Sequence, residues 1–210
     1  MCFIIYKPRG IKVPRDLLQS AAEYNPHGFG FMAFAEPGSV RVTKHCVTSF
    51  PDLWRSYREY ETEECVIHLR KRTRGSIEHD NTHPLLITEQ LYLAHNGTLS
   101  IPCWMPGKSD TWHLVTDHLR PMLSSRPEAV HEWAFQTFLK AWIGPANKLV
   151  FMDARARSTV IIHKEQGVEF DGLWLSNRRW FEAARLGLKS PNEQKLPISY
   201  KYMPFYSYSV

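Results

Sequence analysis

Few side chains in this chain could do chemistry, and Cys2 stands apart among them by its position. A small second residue permits removal of the initiator methionine, which would leave Cys2 with a free α-amine. Such an amine has a pKa of about 7.7–8.0, near the roughly 8.5 of a thiol, so the residue would carry its own base. That is the nucleophile-plus-base logic of terminal-residue enzymes. A strand cysteine that happens to fall second would look the same. Asn96-Gly97 offers a second element. An Asn side-chain NH₂ and a Gly backbone N–H at a strand end can converge on one oxygen, as an oxyanion hole requires. Glycine lets the backbone turn sharply there. An ordinary hairpin turn uses the same dipeptide, and Asn96-Gly97-Thr98 also fits a glycosylation sequon. Arg70 ends a strand, where a planar guanidinium suits bidentate capture of a carboxylate. Asp110, within Ser109-Asp110-Thr111, could hold an ammonium group or cap a helix.

These positions need elements to carry them. Residues 2–7 read as a strand buried on both faces. A helix is expected over 16–24, with Asp16 as its N-cap, and it ends at Asn25-Pro26-His27-Gly28. Strands follow at 29–35 and 40–47, joined by a Pro37-Gly38 turn. A second helix at 51–60 opens on Pro51. Cys65–Leu69 and Leu91–His95 read as strands separated by a polar loop at 71–84, and Asn96-Gly97 closes the second. Helices are expected at 110–119 and 127–142, divided by Pro121 and Pro127, with Ser109 or Asp110 as cap. Short antiparallel strands fall at 148–152, 158–164, 167–170 and 172–176. A last helix lies near 178–186, and the tail 190–210 is expected to wrap the surface. No internal repeat or linker is visible, so 2–210 reads as a single α+β layered domain with a largely antiparallel sheet core.

Composition narrows the function classes. The chain has 210 residues, 43% hydrophobic and 22% charged, as in ordinary globular proteins. No apolar run of about 20 residues is present, which argues against a membrane span. The apolar start is too short for a signal peptide and is interrupted by Lys7, Pro8 and Arg9, so a cytoplasmic setting is expected. The cysteines, Cys2, Cys46, Cys65 and Cys103, form no C-x-x-C pair. The last three read as small core residues. Net charge is +5 with a pI near 9.0, which allows an anionic partner, though charge alone does not argue for nucleic acid.

Taken in order, Met1-Cys2, then His68-Leu69-Arg70-Lys71-Arg72-Thr73-Arg74-Gly75, then His95-Asn96-Gly97, then Ser109-Asp110-Thr111 form a specific combination. It resembles the class II glutamine amidotransferase family, whose pattern runs H-x-R-x-x-T-x-G, H-N-G and S-D-T or S-D-S. The resemblance covers roughly residues 2–111 by motif and extends more loosely through Leu173-Trp174-Leu175-Ser176. Asn25-Pro26-His27-Gly28-Phe29-Gly30 is similar to the early turn of small, stand-alone members. The resemblance implies the four-layer αββα sandwich of N-terminal-nucleophile hydrolases. It implies Cys2 as nucleophile with its α-amine as base through a water, and Asn96 with the Gly97 N–H as oxyanion donors. Arg70 would grip the substrate α-carboxylate, Asp110 its α-ammonium, and Thr73 would line the pocket. His68 and His95 would hold strand ends. The reaction implied is a γ-glutamyl thioester that releases ammonia, with no cofactor. The ammonia acceptor would be a synthase or transferase on a separate chain. Departures are His27, where many relatives carry an acid, and a substrate loop made basic by Lys71, Arg72 and Arg74.

Other readings stand beside this one. The substrate could be L-glutamine or another γ-glutamyl amide. A non-catalytic basic module for nucleic acid or protein would use the same loop. A metal site is not expected: His79 and His83 are helix-spaced, but Asn81, Thr82 and Pro84 oppose a helix, and His113 and His118 do not share a face.

Overall fold

The computed structural model describes residues 2–36 and 38–178. The expected helix near 178–186 and the tail 190–210 fall almost wholly outside them, as does Pro37. Two antiparallel sheets form the centre. The larger has six strands: β1 (Phe3–Lys7), β2 (Phe29–Ala35), β3 (Ser39–His45), β4 (Cys65–Leu69), β9 (Val168–Phe170) and β10 (Leu173–Leu175), in the order β3-β2-β4-β1-β10-β9. The smaller has β5 (Leu85–Thr88), β6 (Leu91–Asn96), β7 (Lys148–Asp153) and β8 (Ser158–Ile162), in sequence order.

Strand periodicity explains how the layers assemble, because successive side chains leave opposite faces. Ile4, Met32, Val66 and Trp174 of the large sheet meet Ala94, Val150 and Met152 of the small one in a buried inter-sheet core. The alternate residues face outward. Phe31 stacks at 4.9 Å on Tyr60 of α2 (Phe50–Tyr60). Beside it packs α1 (Arg15–Tyr24), and the Val13 N–H donates to the Tyr57 hydroxyl at 2.8 Å. On the far side Leu91, Leu93, Leu149 and Phe151 pack against Leu114, Val115, Leu119, Leu139 and Ile143. The result is the expected helix–sheet–sheet–helix sandwich. No helix among the described residues is long and apolar enough to cross a membrane.

Several details differ from the sequence reading. The N-cap of α1 is Pro14, not Asp16, which lies in the first turn where its charge suits the helix dipole. Strand β5 follows Pro84 directly; its four residues are too short to show a period of their own. The helix from Ser109 does not stop before Pro121. Residues α3 (Asp110–His113), a π-helical stretch Leu114–Leu119 and α4 (Arg120–Leu123) run on, and the Arg120 N–H reaches back five residues to the Val115 carbonyl. Pro121 sits where the bonding register changes, so its missing N–H disrupts little. The expected helix 127–142 is a 3₁₀ turn, Pro127–His131, followed by α5 (Trp133–Ile143). Cys65 is buried, but Cys46 is half-buried and Cys103 exposed, so neither of those two is a core residue.

The inter-sheet core sets a measurable expectation. Met152 is fully buried between the sheets. Met152→Ala should lower unfolding free energy by about 2–5 kcal/mol in urea titrations. A loss near zero would mean that the two sheets do not depend on this packing.

Candidate active site

Register brings the site residues together from distant parts of the chain. Phe3 pairs with Leu69, so Cys2 and Arg70 leave the large sheet as neighbours. In the small sheet β6 ends at the same edge with Asn96, opposite Lys148. Between these ends lies a small pocket, open to solvent, lined among others by Cys2, Arg70, Thr73, Gly97 and Asp110. A larger cleft lies at the opposite end of β4, where arginines face Glu36, Glu63 and Glu64; it holds no nucleophile.

Each group has a specific environment. The Cys2 thiol is directed at the Lys71 carbonyl at 3.7 Å. Burial raises its pKa, Arg70 pulls it down and Asp110 pushes it up. The thiol therefore stays protonated at neutral pH unless a base takes the proton. Arg70 is 3% exposed and donates to the carbonyls of Ser76 at 2.9 Å and Arg74 at 3.2 Å, which folds the loop 71–76 around it. Asp110 is 4% exposed; its carboxylate accepts the Leu99 N–H at 2.6 Å and the Thr111 N–H at 3.0 Å. Two further lone-pair positions remain on the carboxylate. The helix cap itself is Ser109, whose hydroxyl accepts the Trp112 N–H at 3.1 Å. Thr73 stands at the exposed mouth, with its hydroxyl 3.4 Å from that of Thr98. Gly97 has φ +151°, and a Cβ there would lie 2.0 Å from Asn147 Oδ1, so no other residue fits.

Asn96 is placed differently. It is 2% exposed and does not line the pocket, and its Nδ2 donates to Ser176 Oγ at 2.8 Å. Its Oδ1 is buried without a partner among the described residues. Ser176 Oγ also accepts the Ile4 N–H at 2.8 Å. Asn177 Nδ2 donates to the Cys2 carbonyl at 3.0 Å. Ser176 and Asn177 lie 80 and 175 residues from Asn96 and Cys2, so no local stretch of sequence signals these contacts.

Three buried imidazoles support the site. His95 is held by Asn147 Oδ1 at Nε2 (3.0 Å) and by the Thr111 hydroxyl at Nδ1 (2.7 Å). Asn147 donates its own amide to the Ile143 carbonyl, so its oxygen faces His95 and the proton sits on Nε2. His68 Nε2 donates to the His95 carbonyl at 3.1 Å and lies 2.8 Å from His83 Nδ1. A carbonyl only accepts, which puts the His68 proton on Nε2. Burial drives all three toward the neutral form, with His68 at a pKa of about 3. Among the described residues no group of three His, Cys, Asp or Glu is arranged to hold a metal ion.

The family model of the class-II glutamine amidotransferases matches residues 16–148. The chain belongs to that family. The match includes Arg70, Thr73, Asn96, Gly97 and Asp110, while Cys2 lies before it. The chain is 30% identical over 105 residues to an uncharacterized protein of Methanocaldococcus jannaschii, covering 47% of this chain and 29% of that one. Among solved structures it is similar to glutamine phosphoribosylpyrophosphate amidotransferase from B. subtilis, with a TM-score of 0.47 and 15% identity. That likeness covers 86% of this chain and 42% of the other. A glutamine aminotransferase class-II domain protein from Silicibacter pomeroyi matches at a TM-score of 0.39 and 13% identity, over 73% of both chains. The chain thus spans under a third of the archaeal relative and under half of the B. subtilis enzyme.

The buried imidazoles give this family member a specific acid sensitivity. Their folded pKa values lie below the roughly 6.5 of an unfolded histidine. The unfolded chain therefore binds more protons in that window, and stability falls as pH falls. Urea midpoints should drop between about pH 7 and pH 5, before most carboxylates titrate. A flat midpoint across that range would contradict neutral burial of these rings.

Proposed function

We propose that this chain hydrolyses a γ-glutamyl amide, L-glutamine being the simplest, through a thioester on Cys2. The observation that carries this reading is the shared pocket of Cys2, Arg70, Gly97 and Asp110. With Met1 removed, the α-amine takes the thiol proton through a water and Sγ attacks the amide carbon. Burial keeps the resting thiol neutral, which makes that base necessary. Arg70 grips the α-carboxylate and Asp110 the α-ammonium, so the reacting amide is fixed at the sulfur.

The Gly97 N–H and Asn96 Nδ2 would stabilise the oxyanion. The environment of Asn96 supports this. An amide is nearly symmetric in shape, so a half-turn changes little packing. Turned over, Oδ1 accepts the Ser176 hydroxyl proton, and Nδ2 takes the buried position where Oδ1 now has no partner, left to bond a developing oxyanion. Ser176 would then be the residue that aims Asn96. After the amine leaves, water cleaves the thioester and frees glutamate. Released ammonia would pass to a synthase or transferase on another chain.

The test is glutamate release from L-glutamine and from γ-glutamylethylamide. Cys2→Ala should abolish it with both, and unchanged turnover would remove Cys2 as nucleophile. Asn96→Ala should lower kcat roughly 10²–10³-fold with the fold intact. A twofold loss would take Asn96 out of the oxyanion role.

A further inference from the structure

The end of the pocket where the amine must leave has its own chemistry. Arg70 and Asp110 are buried and hold the glutamyl end, so the amine points toward the mouth. That mouth is rimmed by Lys71, Arg72 and Arg74. Elsewhere the arginines are commonly paired: Arg41 with Glu63 at 2.8 Å, Arg155 with Asp153 at 2.8 Å, Arg157 with Glu36 at 3.2 Å. None of the three rim cations has a carboxylate within 4.0 Å among the described residues. Lys71 Nζ lies 3.8 Å from the centre of the Tyr24 ring, and Arg74 Nη1 lies 3.8 Å from Cys103 Sγ. Among the described residues Asp110 is the only acid lining the pocket, and it lies at the buried end, accepting the Leu99 and Thr111 N–H groups.

The rim is also held in place. Arg70 donates to the Arg74 carbonyl, the Arg72 N–H donates to His27 Nδ1 at 3.0 Å, and the Ser76 N–H donates to the Gly107 carbonyl at 2.8 Å. A fixed backbone bearing three cations that have no carboxylate partner among the described residues is a preorganised anion receptor, not a solvated charge run. We propose that this site takes a γ-glutamyl amide whose amine carries an anionic group, a carboxylate or a phosphate, in preference to free glutamine. This inference rests on the reading of Arg70 and Asp110 as the glutamyl clamp. The step balances without a further reactant: the C–N bond breaks, the amine leaves with the proton from Cys2, and water later splits the C–S bond to give glutamate and the thiol.

The test uses binding, so that it does not depend on turnover. Cys2→Ala protein is titrated calorimetrically with γ-glutamylglycine and with γ-glutamylethylamide, which differ by a carboxylate in place of a methyl. The glycine compound should bind about five- to tenfold tighter, as expected for one or two partly exposed charge contacts. The gap should shrink with added salt and fall below twofold in Arg72→Gln/Arg74→Gln. γ-Glutamylaminomethylphosphonate in the same titration separates phosphate from carboxylate preference. Equal affinities, no binding of either anionic ligand, or a gap that survives both substitutions overturns the proposal. Turnover of the two amides by the unsubstituted protein is read separately. A binding gap without any hydrolysis would sink the thioester mechanism and leave the receptor standing.

Discussion

The hydrogen bond from His68 Nε2 to the His95 carbonyl joins the two sheets at the edge where the chemistry lies. One partner sits two residues before Arg70, the other one residue before Asn96. The contact crosses the inter-sheet layer between buried groups, where desolvation and the neighbouring rings oppose charging of the imidazoles. The neutral forms of His68, His83 and His95 are therefore a structural requirement. If these rings charged, the ends of β4 and β6 would be pushed apart, and with them Arg70, Asn96 and Gly97. The pocket is thus a consequence of how the sandwich closes at that edge.

Much of this was legible in the chain itself. The apolar runs at 65–69 and 91–95, the Asn-Gly turn and the Ser-Asp-Thr start of a helix are local signals, and the residues Cys2, Arg70, Thr73, Gly97 and Asp110 do share one pocket. What escaped is non-local. Ser176 contacts Ile4 and Asn96 because β10 lies beside β1, a pairing no short window contains. The π-helical stretch through Leu114–Leu119 escaped because a proline reads as a helix stop unless the register shift before it is known. β5 escaped because four residues do not display a period.

The site has two ends of different character. The inner end, built by Arg70, Asp110 and the turn at Gly97, pairs a buried guanidinium with a buried carboxylate, the charges that the proposed glutamyl clamp needs. The outer end is exposed and cationic, and the ties from its loop to His27, Arg70 and Gly107 hold it there. Lys71, Arg72 and Arg74 line this outer end, and the Arg72 N–H is tied to His27.

In the proposed mechanism a free Cys2 α-amine activates its own thiol. The most direct measurement is intact-mass and peptide analysis after exposure to the diazoketone analogue of L-glutamine. Two preparations are compared, one with a mature Cys2 N-terminus and one with Met1 retained. The expected result is a single adduct on Cys2 in the first and none in the second. Equal labelling of both, or labelling of Cys46 or Cys103 instead, would contradict the claim.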